Sequence, residues 1–214
     1  MEQRLSFPSD FQLVLASQSP RRHSLLRDVG IPFTVASSEA EEQTEGEAAG
    51  VLAERNALAK VHGAALPDTV GPGAFVLGTD TLVTAGGSVM GKPSSAYEAA
   101  GMLETLSGRT HQVVSGVALL RKGVRGARSA EDMVRVASAV TEVTFQSLDE
   151  AQISAYVATG EWKGKAGAYA IQGLAGLFVS SIRGEYSNVV GLPLHLLTRL
   201  FAELGFDLVR REWT

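Results

Sequence analysis

At 214 residues, 45% hydrophobic and 20% charged, the chain has the composition of a globular protein and the length for a sizeable core. A net charge of -4 excludes the broad positive field that holds a nucleic-acid polymer or an anionic membrane, so any anion site must be local. The lack of cysteine excludes disulfides, thiolate nucleophiles and zinc–thiolate centres and fits a cytoplasmic setting, and Met1 to Phe11 has no apolar run suited to a signal peptide or membrane span.

Leu13 to Ala16 is a short apolar run that reads as a buried strand. Ser19-Pro20 supplies an N-cap and a proline at the first helical position, and the helix carries Leu25, Leu26 and Val29 inward before stopping at Gly30. Ser37 to Glu47 is acidic and polar and reads as a loop, while Ala48 to about Val61 places Val51, Leu52, Leu58 and Val61 at helical spacing. "FVLGTDTLV", from Phe75 to Val83, is strand-like, and Gly86-Gly87 turns it back toward a short strand at Ser88 to Met90. Asp80 therefore falls within or just beyond a strand.

Ser95 and Glu98 have capping-box spacing ahead of Ala99, Met102, Leu103 and Leu106, and Gly108 ends that helix. Thr110 to Leu120 and Met133 to Phe145 are rich in valine and threonine and read as paired strands joined by an exposed connection, Arg121 to Asp132. Ser147 and Glu150 repeat the capping-box spacing before a helix running to about Thr159. Seven of the 23 glycines then lie between Gly160 and Gly191, which calls for unusual backbone angles or close backbone approach. Pro193 starts a last helix with Leu194, Leu197, Leu200, Phe201 and Leu204 on one side. With no repeat and no dividing linker, residues 1–214 read as one domain.

Arg21 and Arg22 stand in the first turn of the first helix, where each cation costs about 0.3–1 kcal/mol against the helix dipole. A polyphosphate there would meet free amides, serine hydroxyls and guanidinium forks together and reverse that penalty. The alternative is that both side chains turn to solvent or pair with acids between Glu39 and Glu47. Asp80 between two threonines suits a metal ligand, a water-orienting carboxylate or a turn-capping residue. Lys92 in "GKP" is a phosphate-seeking lysine or a solvated one, and Gln172 between Ile171 and Gly173 offers the donor and acceptor needed to read a base edge or cap a turn. His23, His62, His111 and His195 have no metal-ligand spacing and read as packed or surface residues.

In order, "LASQSPRR", "GTDTLV", "GKP", "MLETLSGRTHQV", "YVATGEW", "KAGAYAIQG" and "VVGLPL" resemble the Maf, or septum-formation-inhibitor, family of nucleotide pyrophosphatases nearly end to end. The resemblance implies an α/β fold, a mixed twisted sheet in two lobes with an active-site cleft between them, similar to the inosine triphosphate pyrophosphatases. It implies hydrolysis of a nucleoside triphosphate to monophosphate and pyrophosphate with Mg²⁺ or Mn²⁺, and a homodimer. Carried over by motif, Ser17, Ser19, Arg21, Arg22, Lys92 and Lys165 face phosphate, Asp80 is the catalytic aspartate, and Glu42 joins Asp80 in holding metal or water. Arg21, Thr81 and Gln172 match specificity positions, and threonine after the aspartate together with "IQG" is similar to the subgroup acting on dTTP and UTP.

Two departures stand out. Asn56 falls where the family often has a lysine, which leaves a phosphate contact missing or taken over by Arg55 or by Lys60, the latter one turn further on the same face. "GKAGAYAIQG" replaces an acid with Gly164 and a glycine with Ala170, which asks Ala170 for a conformation alanine tolerates. Two other functional classes carry weight at this point: a nucleotide-binding regulator of cell division in which hydrolysis is secondary, and a nucleotidyltransferase. The latter ordinarily needs a glycine-rich phosphate loop that "SQSPRR" lacks.

Overall fold

The computed structural model describes residues 6–43, 48–124 and 131–214; the end of the acidic loop (44–47), the middle of the exposed connection (125–130) and the first five residues lie outside them. In chain order the elements are β1 (Leu13–Leu15), α1 (Pro20–Asp28), β2 (Thr34–Val35), α2 (Ala49–His62), β3 (Phe75–Ala85), β4 (Ser88–Met90), α3 (Ala96–Leu106), β5 (Thr110–Arg121) and β6 (Met133–Phe145). They continue with α4 (Glu150–Ala158), two 3₁₀ turns (Ala166–Ala168 and Leu174–Phe178), β7 (Val179–Arg183), α5 (Tyr186–Val190), α6 (Leu194–Glu203), β8 (Phe206–Asp207) and β9 (Glu212–Trp213). Among the described residues, no helix is long and apolar enough to cross a membrane.

The sheet runs β2-β1-β3-β5-β6-β7, with β4 paired on the far end of β3. β1 is parallel to β2 and to β3; the other pairs are antiparallel, so the sheet is mixed. Because side chains alternate along a strand, the sheet divides the core in two. Phe75, Leu77, Val83, Val113, Val117 and Leu119 face the larger core with α1, α3, α4 and α6. Val76, Leu82, Val114, Ala118 and Leu120 face α2.

α2 lies unusually close to this second face. A Cβ on Gly78 would land on the Ala57 carbonyl oxygen, and one on Gly116 would land on the Ala53 carbonyl. Gly116 pairs directly with Asp80 across β3 and β5, and Gly78 lies two residues before it on the same face. Two missing side chains beside Asp80 let the helix sink far enough for its own polar residues to reach that carboxylate.

Local expectations differ from the structure at several points. Val29 is 40% exposed, since α1 ends at Asp28 and turns through Gly30 at φ 71°, and Val51 on α2 is 50% exposed. The N-cap of α4 is Asp149, not Ser147: its side chain accepts the Gln152 N–H at 2.8 Å while Gln152 accepts the Asp149 N–H at 2.9 Å. Ala170 does not adopt a left-handed angle; Ala168 does, at φ 64°. β2, β7, α5 and the β8–β9 hairpin have too few residues for a periodic signal.

Candidate active site

β1 covers the edge of β3 only from Phe75 to Leu77, and β4 covers it only from Val83 to Ala85. Between them, Gly78 to Leu82 is an uncovered stretch of strand edge, and it opens into a cleft of about 840 Å³. The β1–β2 side and the β4 side are the two lobes about this gap. Ser17, Ser19, Arg21, Arg22, Glu42, Asp80, Thr81, Lys92, Lys165 and Gln172 all line this one cleft.

The arginine pair is explained by carbonyl groups. Arg21 Nε donates to the Val190 carbonyl at 3.2 Å and Arg22 Nε to the Gly191 carbonyl at 2.9 Å, at the end of α5. Unpaired carbonyls there carry the negative end of a helix dipole, which offsets the cost of two cations at the start of α1. Arg22 is buried and so does not turn to solvent, and among the described residues neither side chain pairs with an acid between Glu39 and Glu42; Glu45 and Glu47 lie outside the described residues. Arg22 also donates to Ser17 Oγ at 2.9 Å and Thr81 Oγ1 at 3.2 Å. Burial lowers its pKa to about 10, with Asp80 opposing, so it stays cationic at neutral pH.

Alternation puts Asp80 on the opposite face from Thr81, beneath α2. Its Oδ1 accepts from Lys60 Nζ at 2.7 Å and its Oδ2 from Asn56 Nδ2 at 2.8 Å. Lys60 also bonds Glu42 Oε1 at 2.8 Å and the Thr79 carbonyl at 3.2 Å. Lys92 holds the other Glu42 oxygen at 2.5 Å. Burial acts to raise the Glu42 carboxyl, but the two lysines outweigh it and hold its pKa near 2. On α2, then, Lys60 brings a cation to Asp80 and Glu42, Asn56 itself holds Asp80, and Arg55 turns instead to Gln43 Oε1 at 3.0 Å.

The opposite wall is the glycine-rich segment. Lys165 Nζ donates to the Lys163 carbonyl at 3.1 Å and points along the cleft; partial burial and Arg21 lower its pKa. Gln172 is exposed to the cleft with no side-chain bond to protein among the described residues. Gly164 sits at φ 69° with open space where a Cβ would go, so its backbone angle, not crowding, favours glycine. The sequence reading missed Glu161 and the α5 carbonyls. Glu161 stands in "GEWKGK", where nothing local marks it as the acceptor for amides 13 and 14 residues on, and backbone carbonyls leave no trace in residue type.

A family model described as "Maf-like protein" matches residues 12–204. The chain belongs to the Maf family. Among relatives of this Maf chain is a protein of Symbiobacterium thermophilum named dTTP/UTP pyrophosphatase, 48% identical over 92% of this chain and 96% of that protein. Proteins with the same name from Moorella thermoacetica and Thermococcus gammatolerans are 49% and 44% identical, over 92% and 93% of this chain and 96% and 100% of their own length. The Ham1 protein of Staphylococcus aureus, a solved structure, overlaps 62% of this Maf chain and 72% of its own, at 16% identity and a TM-score of 0.34.

Proposed function

We propose that this Maf protein hydrolyses dTTP and UTP, or modified pyrimidine relatives of them, to the nucleoside monophosphate and pyrophosphate. The observation that carries the reading is the joining, across the free edge of β3, of a buried carboxylate with a cationic wall in one cleft, in a chain whose relatives bear that activity's name. Water attacks the α-phosphorus, the bond from that phosphorus to the bridging oxygen breaks, and pyrophosphate leaves. Asp80 accepts the water's proton, while Arg21, Arg22, Lys92 and Lys165 balance the charge gathering on the leaving group. Ser17 and Ser19 add hydroxyls to the phosphate corner, and Thr81, Gln172 and Arg21 bear on base choice.

Asp80 and Glu42 would hold a divalent cation, Mg²⁺ or Mn²⁺. Oxygens of both lie within 2.8 Å of the same Lys60 nitrogen, so the two carboxylates are close neighbours. A carboxylate has about four lone-pair sites, and Lys60, Asn56 and Lys92 leave some on each, so the donor set fits. Among the described residues no three acidic or imidazole side chains gather for an ion, so phosphate oxygens and water would complete its shell. Such an ion polarises the phosphate or acidifies water.

The reading also takes residues 1–214 as one domain working in the cytoplasm as a homodimer. The test is incubation of the purified protein with Mg²⁺ or Mn²⁺ and a triphosphate panel, base-modified uridine and cytidine nucleotides included, with pyrophosphate measured. Release of pyrophosphate from dTTP and UTP well ahead of ATP and GTP is expected. Single orthophosphate, or equal turnover of ATP and UTP, overturns the reaction or the base preference respectively.

A further inference from the structure

The wall that carries Gln172 hangs from one carboxylate. Glu161 Oε2 accepts the Leu174 N–H at 3.0 Å, and its Oε1 accepts the Ala175 N–H at 3.4 Å and the Tyr156 hydroxyl at 3.1 Å. Leu174 and Ala175 open the 3₁₀ turn Leu174–Phe178, so the carboxylate satisfies amides that the turn leaves unpaired. Tyr156, buried in α4, stacks edge-on against Phe178 at the far end of the same turn, 5.2 Å between ring centres. The turn is therefore fixed at both ends against α4 and its following loop.

Only Gly173 separates the clamped amides from Gln172. A Cβ there would overlap the Glu161 carboxylate, although the backbone angle of Gly173, φ -106°, is open to other residues. The glycine is thus explained by the contact and not by conformation. The Gln172 side chain, free of protein hydrogen bonds among the described residues, is left one residue from a rigid anchor and facing the cleft.

We propose that Glu161 is a positioning residue for Gln172 and, through it, sets which nucleobase the cleft accepts. The inference rests on the reading of Gln172 as a base-reading residue. A site that hydrogen-bonds a base edge discriminates only while its polar groups are held in place. Glu161→Ala releases both amides and the Tyr156 hydroxyl and lets the loop wander. Gly173→Ala disturbs the same contact from the other side.

The experiment measures kcat/KM for UTP and ATP in the wild type, Glu161→Ala, Glu161→Gln, Gly173→Ala and the Glu161→Ala/Gly173→Ala pair. Competitive inhibition by tripolyphosphate, which has no base, is measured beside them. The UTP-to-ATP ratio is expected to fall by about tenfold or more in Glu161→Ala and Gly173→Ala, chiefly through KM for UTP. Glu161→Gln, which keeps one acceptor oxygen, is expected to fall between, and tripolyphosphate inhibition to be no more than about twofold weaker than in wild type, since the loss of an anion near Lys165 does not weaken it. The pair is expected to be no worse than Glu161→Ala alone, because the overlap disappears with the carboxylate. Should Glu161→Ala not fold, Glu161→Gln and Gly173→Ala decide the matter. An unchanged ratio, or a parallel loss of tripolyphosphate and UTP binding, overturns the proposal. A wild type with no pyrimidine preference overturns the base-reading role of Gln172 and the proposal with it, whereas a preference that survives in the variants overturns the role of Glu161 alone.

Discussion

Lys60→Met is the most searching perturbation of the site. The Lys60 side chain is 10% exposed and Asp80 4%, so the pair is largely screened from bulk solvent at the floor of the cleft. Removing one partner of a buried ion pair costs about 3–5 kcal/mol, because the other charge is left uncompensated. Asn56 keeps its bond to Asp80 Oδ2, and Glu42, with its side chain 34% exposed, keeps Lys92 and water. The loss therefore belongs near the low end, about 3 kcal/mol, and arises chiefly at Asp80, with a share from Glu42, whose low pKa Lys60 helps to hold. Urea denaturation at pH 7 of wild type, Lys60→Met, Asp80→Asn and the double variant measures it. The double variant is expected to recover about 2 kcal/mol of the Lys60→Met loss, since the stranded charge is gone. A cost below about 1 kcal/mol, or a cycle additive within about 0.5 kcal/mol, would refute the claim that Lys60 balances Asp80.

Asp80→Asn should lower pyrophosphate release from UTP by about 10²- to 10⁴-fold with the fold retained by circular dichroism; unchanged rates remove Asp80 as the base. Gly116→Ala should destabilise by about 1–3 kcal/mol or more in urea and lower activity with it, because α2 must lift from the sheet and carry Lys60 and Asn56 from Asp80. Arg22→Lys, which cannot span the Gly191 carbonyl, Ser17 and Thr81 at once, should cost on the order of 1–3 kcal/mol, read from the same denaturation curves. His111, buried beside Phe145 and bonded to Tyr169 at 2.9 Å, has its pKa lowered by burial from 6.5 to about 4. The unfolded chain binds the extra proton between those values, so its contribution, about 3 kcal/mol, is full above pH 6.5 and fades as pH falls toward 4. His111→Gln should flatten the stability profile between pH 6.5 and 5; an unchanged slope removes His111 as its source.

Much of the fold is legible in the sequence where a pattern is long. The valine- and threonine-rich runs become β5 and β6 within a residue of their expected bounds, and the α6 period survives into the structure, whereas on α2 Leu52 and Val61 are buried and Val51 is exposed. Elements of two to five residues, such as β2 and α5, are made by tertiary contact and carry no period of their own. The residues proposed for the site are nameable because the family's motifs stand in order along the chain, from "LASQSPRR" to "KAGAYAIQG". Their arrangement is not, because it depends on which face of β3 each residue takes and on carbonyl groups that every residue possesses. Gly78 and Gly116 show the limit: each looks like an ordinary strand glycine, and only the helix lying across them reveals the need for a bare backbone.

β3 is a partition as well as a support. Thr81 and Asp80 are adjacent in the chain, yet one leans on the guanidinium nest and the other on the ammonium of α2, with the backbone between them. Substitutions on α2 can therefore retune the acid without disturbing the arginines. Insertion or deletion of a single residue ahead of Asp80 would exchange the two compartments' contents at once, burying a hydroxyl under Lys60 and an acid among the arginines. Away from Gly78, this strand tolerates change of side chain better than change of length.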